Sequence, residues 1–444
     1  MSQNGSTSLN GRCADPLVVG FVFTTDPADR DAISGMPVYM AEALAARGNT
    51  VVPLPTVTAD TGLSRAARRI RPALLRPLPP VLRPTLRRLR ADASDSLAQC
   101  FPRLSCTRAS RRQHHLRDHF TRLLGRTHVD VLFGACISTA LATLETDLPI
   151  VYFSDTTARL INAEYPFYAR RNRAYKRACD RIESAAIARA SLAVFASARA
   201  RDSAVHDYGL PSGCAHVVPM GANITRADAD GDGPDRNPPA RSGLELCIVA
   251  SDPARKRLDL AIDTTSRLRS MGYAATLTHV GPTTARALRE PFVRCMGRLR
   301  LSQPDHRRRY AGILASSHLM LLPSAAETYG IAPCEAAHFG VPSIVSNVGG
   351  LPTVVEHNRT GLVMPVSAPA ADYAQAIDAL VGDAARYHRM CAAAEERAAR
   401  VLNWQSWAQQ ITEHLRRAVT ERRGGVRVQS SQASWSTPLC ADPR

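Results

Sequence analysis

Short apolar runs alternate with helical stretches along this chain, break off once at a polar segment, and begin again, which narrows the fold more than any other feature. LVVGFVF (17–23) is an apolar run bounded by turn formers. A helical stretch opens near Met36, with Val38, Met40, Ala41, Leu44 and Ala45 on one face and Gly48 after its end. Val51–Leu54 resumes as strand, and further buried strands are expected at Val129–Phe133, Ile150–Phe153, Leu192–Ala196 and Val217–Val218. Between Thr225 and Ser242 the composition turns to Asp, Gly, Pro and Arg, which reads as a linker. The alternation then restarts with strand Leu246–Val249, helix Leu258–Met271 and strands Thr276–Val280 and Leu319–Leu322, followed by helix Ile331–Phe339 and strand Ser343–Val345. A chain of 444 residues exceeds the ~250–300 that one core supports. The pattern therefore predicts an α/β protein with two doubly wound parallel-sheet domains. In such sheets ligands sit at the carboxyl ends of the strands.

Charge and cysteine usage bound the environment. The net charge is +17, which favours an anionic partner. Of 56 basic residues only Lys176 and Lys256 are lysines, a skew of the kind a GC-rich genome produces. That bias accounts for arginine over lysine but not for the excess of cations. The eleven cysteines are scattered without a Cys-x-x-Cys pair, as in a reduced, cytoplasmic protein. No apolar run approaches the ~20 residues of a membrane span, and none resembles a secretory leader. SRAARRIRPALLRPLPPVLRPTLRRLR (64–90) mixes arginine, leucine and five prolines, so one long helix is excluded. It reads either as a peripheral contact with an anionic membrane or as a solvated insertion. His114, His115 and His119 in this basic region are read as surface residues. The stretch lacks interleaved aromatics, so no nucleic-acid partner is expected. Residues 423–444 are polar and read as a disordered tail.

The chemistry concentrates in 321–365, LLPSAAETYGIAPCEAAHFGVPSIVSNVGGLPTVVEHNRTGLVMP. A buried strand leads to a loop with Glu327 and Gly330, and a helix opening at Ile331 carries Glu335 and stops at Gly340. The N–H groups at Gly330 and Ile331 are unpaired donors suited to a phosphate. One carboxylate before that anion site and one behind it suit a ligand with hydroxyls at both ends and phosphates between. Eight residues of helix would separate the two by about 12 Å. A glycosidase pair stands about 5–9.5 Å apart, so the spacing disfavours hydrolysis. Gly349–Gly350 forms a turn whose backbone is able to approach a ligand.

Glu327-x7-Glu335 followed by FGVPSIVSNVGGLPTVVEHNRTGLVMP resembles the donor-site signature of the family 4 retaining glycosyltransferases. The resemblance runs from about residue 17 to 420, through Ser34-Gly35, SDTTARLINAEYP (154–166), YG (208–209), PMGANI (219–224) and LNWQSW (402–407). It implies two Rossmann-like domains of the GT-B type facing a central cleft. The acceptor side is expected in 1–225, with a basic insertion at 64–126. A linker (226–243), a donor domain (244–402) and a helix (403–422) packing back on the first domain would follow. In VASDPARKRLDLAID (249–263) the resemblance assigns Arg255 and Lys256 to the donor diphosphate. Lysine is rare enough in this chain that its presence there hints at a compact ammonium requirement. Gly35 would approach the donor phosphate, Glu327 hold sugar hydroxyls, and Glu335 accept bonds from the ribose. Two family glycines are replaced, by Ala250 and Arg257, and Arg257 would tighten or crowd the phosphate site. Ser154-Asp155 stands where many members have His-Asp, which makes Asp155 the acceptor-side candidate. The implied reaction moves a sugar, with retention, from a nucleotide diphosphate sugar to an acceptor hydroxyl of unknown identity. No cofactor and no metal are expected, since no Asp-x-Asp constellation accompanies the site. The alternatives are a nucleotide-sugar epimerase of the same fold and a non-catalytic nucleotide-sugar-binding homologue. The expected location is the cytoplasm, including the inner face of the plasma membrane.

Overall fold

The computed structural model describes residues 15–23, 30, 35–56, 116–229 and 239–424. Ser34, the stretch 64–90, His114, His115, residues 230–238 of the linker and the tail after 424 lie outside the described residues. The first sheet contains β1 (Val18–Phe23), β2 (Thr50–Pro55), β3 (Val131–Ala135), β4 (Ile150–Ser154), β5 (Leu192–Phe195) and β6 (Ala215–Val217). They run parallel in the order β2-β1-β3-β4-β5-β6. The second sheet contains β7 (Leu244–Val249), β8 (Ala275–Val280), β9 (Val293–Gly297), β10 (Leu319–Leu322), β11 (Ser343–Ser346) and β12 (Gly361–Met364). Its order is β12-β11-β10-β7-β8-β9, also parallel. This is the α/β, two-sheet architecture that the alternation predicts.

Helices on both faces explain why the inner strands are mostly apolar. Every residue of β3, β4, β5, β10 and β11 is buried, as parallel strands covered on two sides must be. The covering helices show the complementary pattern. Leu258–Ser270 buries Leu258, Ala261, Ile262, Thr265 and Leu268, one face of a 3.6-residue repeat.

Each sheet has one point where the strand order reverses. In the first it lies between β1 and β3, and in the second between β7 and β10. Loops leaving the carboxyl ends at such a point diverge and leave a crevice. The chain passes between the sheets after β6 and again before the helix Trp404–Arg423, and Ala222 N–H donates to Leu402 O at 3.1 Å where the passages meet. That last helix lies on the first sheet, with the Trp407 ring 5.8 Å from Phe133 and 5.7 Å from Phe153. Arg307, on the helix Pro304–Ser316 of the second half, reaches Asp228, Asn223 O and, at 2.6 Å, the Tyr39 hydroxyl of the first half. His119, read from sequence as a surface residue, is half-buried, and its Nε2 lies 2.9 Å from Pro55 O.

Candidate active site

The reversal point of the second sheet brings two loops together. The loop after β7 supplies Arg255 and Lys256, and the loop after β10 supplies Glu327. Lys256 Nζ is ion-paired with Glu327 Oε2, and Arg255 Nη1 donates to the same oxygen at 3.4 Å and to Ala326 O at 2.7 Å. Lys256 and Glu327 are each 8% exposed. Burial pushes the Glu327 carboxyl up, but Lys256 and then Arg255 outweigh it, and its pKa falls below the ordinary carboxylate value. A buried pair of this kind is a weak source of stability, because desolvation cancels most of the Coulomb gain. Its better explanation is chemical readiness: two cations are held at a cleft by one carboxylate.

Beside this cluster the helix Ile331–His338 begins. Gly330 caps it at φ 111°, a backbone state that side chains with a Cβ rarely adopt. No side chain caps this end, so its N–H groups are open to an anion. Four residues into the helix, Glu335 is 3% exposed. The Tyr310 hydroxyl donates to its Oε2 at 2.7 Å. Its Oε1 has no partner of full hydrogen-bonding geometry, and bonding from the Asn223 backbone lowers the carboxyl in part. Burial raises the Glu335 carboxyl to about 7, against the lowering effect of Tyr310. An unsatisfied buried acceptor costs ~1–3 kcal/mol and awaits a donor, such as a ligand hydroxyl.

These groups line one cavity of about 690 Å³ between the two halves. Lys256, Arg255, Glu327, Gly330, Ile331 and Glu335 all border it from the second half, and Asp155 borders it from the first. Gly35 does not line it; its neighbour Met36 does, and Gly35 caps the helix Met36–Ala46. The paired glycines differ from expectation as well. Gly349 (φ 51°) presses on the Glu327 carbonyl so closely that a Cβ would overlap it, and Gly350 N–H donates to Thr328 O at 3.0 Å. They shape the Glu327 loop from behind, and neither borders the cavity.

The two replaced glycines also resolve. Arg257 adopts the left-handed conformation, φ 50° and ψ 52°, at the start of the helix Leu258–Ser270. Its guanidinium turns aside from Arg255 and Lys256 and donates to Val366 O at 2.6 Å. It therefore neither grips nor crowds a ligand in the cavity, whose lining excludes it. Ala250 is fully buried and likewise off the lining.

On the first half, Asp155 follows β4. Burial raises its carboxyl, while bonding from the Thr328 side chain and from Cys136 lowers it in part. Ser154 points elsewhere, its hydroxyl donating to Thr156 O at 2.6 Å. Sequence reasoning missed Tyr165, Thr328, Tyr310, Arg30, Arg298 and Arg300, all on the lining. Tyr165 lies within the block SDTTARLINAEYP yet carried no signal of its own. Its ring stands 5.3 Å from the Arg255 guanidinium, and burial followed by the Glu327 charge pushes its hydroxyl to about 12. Among the described residues no group of three or more His, Cys, Asp or Glu is arranged to hold a metal ion.

Residues 244–383 match the family model "Glycosyl transferases group 1". A D-inositol 3-phosphate glycosyltransferase of Nocardia farcinica is 29% identical over 259 residues, 54% of this chain and 56% of that protein. One from Nocardioides sp. is 34% identical over 128 residues, 29% of this chain and 28% of that protein. The matched region thus spans about half of the first relative or less of the second. Among solved structures, sucrose-phosphate synthase from Thermosynechococcus elongatus superposes with a TM-score of 0.61 at 16% identity, covering 91% of this chain and 99% of that one. Anabaena HepE in complex with UDP-glucose gives 0.55 at 15% identity, covering 90% and 100%.

Proposed function

The chain carries a group 1 glycosyl transferase domain in a two-sheet α/β fold, and from that premise we propose a retaining transfer of a sugar from a nucleotide diphosphate sugar to an acceptor hydroxyl. The observation that carries this reading is the Lys256–Glu327–Arg255 cluster at the mouth of an uncapped helix N-terminus, with the half-satisfied Glu335 behind it.

The donor diphosphate competes with Glu327 for the two cations. As Lys256 and Arg255 turn to the β-phosphate, Glu327 is released to hold sugar hydroxyls and fix the anomeric carbon. Glu335 Oε1 accepts from the ribose. Charge builds on the departing β-phosphate, where two cations and the N–H groups at Gly330 and Ile331 stabilise it. The acceptor enters from the side of Asp155. With this much fixed positive charge, a divalent ion is not required, and turnover is expected to survive EDTA. HepE was crystallised with UDP-glucose, and uridine diphosphate sugars head the donor panel. D-inositol 3-phosphate, the compound in the relatives' name, heads the acceptor panel. The chain is assigned to the cytoplasm, and the arginine-leucine stretch 64–90, outside the described residues, is included as a contact with anionic membrane.

Thermal shift across nucleotide sugars identifies the donor, because a ligand that binds only the folded state raises Tm with its occupancy. Nucleoside diphosphate release then has to depend on an added acceptor, and the product's anomeric configuration has to match the donor's. Donor conversion without acceptor, giving an epimer, would replace this reading.

A further inference from the structure

Tyr165 stands where the helix Ala158–Glu164 ends and the helix Pro166–Ala169 begins. Pro166 disfavours the helical state in the residue before it, so the chain kinks there, with Tyr165 extended at φ −86° and ψ 121°. The backbone is tied on both sides of the kink. Tyr165 N–H donates to Ile161 O at 3.1 Å, and its carbonyl accepts from Tyr168 N–H at 3.0 Å and Ala169 N–H at 2.8 Å. A side chain leaving so constrained a point is aimed by the fold around it. This one reaches over to the second half, where its ring centre lies 5.3 Å from the Arg255 guanidinium. Both residues line the cleft.

The guanidinium that the ring meets is only partly committed. Nη1 donates to Ala326 O at 2.7 Å and to Glu327 Oε2 at 3.4 Å, and Nε stands 3.9 Å from Asp252 Oδ2. Among the described residues Nη2 has no hydrogen-bond partner. A planar fork anchored mainly through one nitrogen is still free to swing about that anchor. An aromatic face laid against it removes the freedom and leaves Nη2 as the donor on offer. Such contacts hold within about 6 Å and strengthen as water is excluded. The Arg255 side chain is 17% exposed, so the contact is largely desolvated. Burial and then the Glu327 charge push the Tyr165 hydroxyl to about 12. The residue therefore meets Arg255 as a neutral phenol, through its ring.

We propose that Tyr165 is a positioning residue of the donor site, its ring holding the Arg255 guanidinium in the plane that presents Nη2 to the donor diphosphate. The inference rests on the reading above, in which Arg255 meets the β-phosphate, and adds that the wall of the first half is needed for it to do so. Tyr165 acts through Arg255 and not by touching the phosphate. An apolar side chain of similar size would fill the same space, but it would not offer a π face to the cation. That difference separates positioning from packing.

The experiment is calorimetric titration of the full chain with UDP, GDP, ADP, CDP and dTDP, followed by variants tested with whichever of these binds wild type most tightly. Tyr165→Phe keeps the ring face, and its affinity is expected within about twofold of wild type. Tyr165→Leu and Tyr165→Met fill similar space without a π face, and each is expected to weaken binding roughly tenfold. Two such variants guard against one that misfolds, and thermal unfolding checks both. Fluorinated phenylalanines incorporated at position 165 keep the ring's shape while draining its face of negative charge. Affinity should fall stepwise with each fluorine, approaching the roughly tenfold loss of the leucine variant. Packing alone would leave that series flat. The inference is overturned, with the donor reading intact, if a nucleotide binds wild type and the leucine and methionine variants equally. It is overturned in the same way if Tyr165→Phe loses as much as Tyr165→Leu, or if fluorination changes nothing. If wild type binds none of the five nucleotides, the donor reading fails and takes this role of Tyr165 with it.

Discussion

The two sides of the cleft are built differently. On the second half, the charged centre of the cavity is tied together, Lys256 and Arg255 to Glu327 and Tyr310 to Glu335, with Gly349–Gly350 against the back of the Glu327 loop. Its charged residues come from two loops and one helix start at a single strand-order reversal. The first half contributes single residues from distant places, Arg30, Met36, Asp155, Tyr165 and Asn223. A site that grips an invariant ligand part, such as a diphosphate, has to hold charge in fixed geometry before the ligand arrives. A site for the variable partner needs only a few contacts on a stable wall. The second half has the first design and the first half the second.

Lys256→Ala strikes the fixed side hardest. It removes the cation proposed to meet the β-phosphate and leaves Glu327 short of its main partner. A fall in kcat of roughly 10²–10³ is expected, in line with the loss of one oxyanion donor. Lys256→Arg is expected to rescue it poorly, because a planar guanidinium does not reproduce a buried ammonium. Full rescue would mean that net charge, and not geometry, is what this side supplies.

Glu335→Ala comes next. Loss of a charged acceptor costs ~1.5–3 kcal/mol, so nucleotide affinity should fall tenfold to a hundredfold in calorimetry. Protonation gives a companion readout. The folded pKa of about 7 lies above the ordinary 4.5, so the folded state holds more protons between those values. Glu335 therefore favours folding fully below about 4.5, and that contribution is lost as pH rises towards 7. Glu183, also raised to about 7 by burial, adds the same slope. Glu335→Gln should remove part of the decline in Tm over that interval and leave the Glu183 part.

Asp155→Asn tests the other side. Nucleotide affinity should stay within twofold of wild type, while the acceptor KM rises roughly tenfold, the worth of one charge-assisted bond. If nucleotide affinity collapses instead, the division of labour between the halves is wrong.

Arg257 gives the smallest expected effect. Arg257→Ala keeps the left-handed backbone and loses the bond to Val366 O, at a cost of about 1 kcal/mol, or ~2–4 °C in Tm. Arg257→Gly also loses the bond but relieves the backbone, so its Tm should lie within about 1 °C of wild type.

The contrast between halves also explains what the sequence discloses. Inner strands such as β5 and β10 are apolar throughout and stand out as runs. The edge strands of the second sheet, β9 and β12, are partly exposed, mix Arg294 and Gly361 into short segments, and do not. Glu327, Glu335, Arg255 and Lys256 are legible because one compact motif and one loop carry them. Tyr165, Tyr310 and Thr328 are ordinary residues whose placement depends on how two sheets face each other, and no local spacing records that. Arg257 shows the reverse problem: a basic residue beside two basic site residues suggests a shared role, but a left-handed backbone turns its side chain away.

The helix Trp404–Arg423 closes the first sheet with Trp407, Ile411 and Leu415, although almost the whole second half is made before it. On a ribosome, the first half would emerge with the Phe133 and Phe153 face uncovered and would stay so while some two hundred residues follow. The second half has all its strands and most of its covering helices in one stretch, and can fold while the first waits. A chain cut before residue 404 would therefore lose the solubility of its opposite end, and a chaperone that shields the first sheet would be needed longest by the part of the protein made earliest.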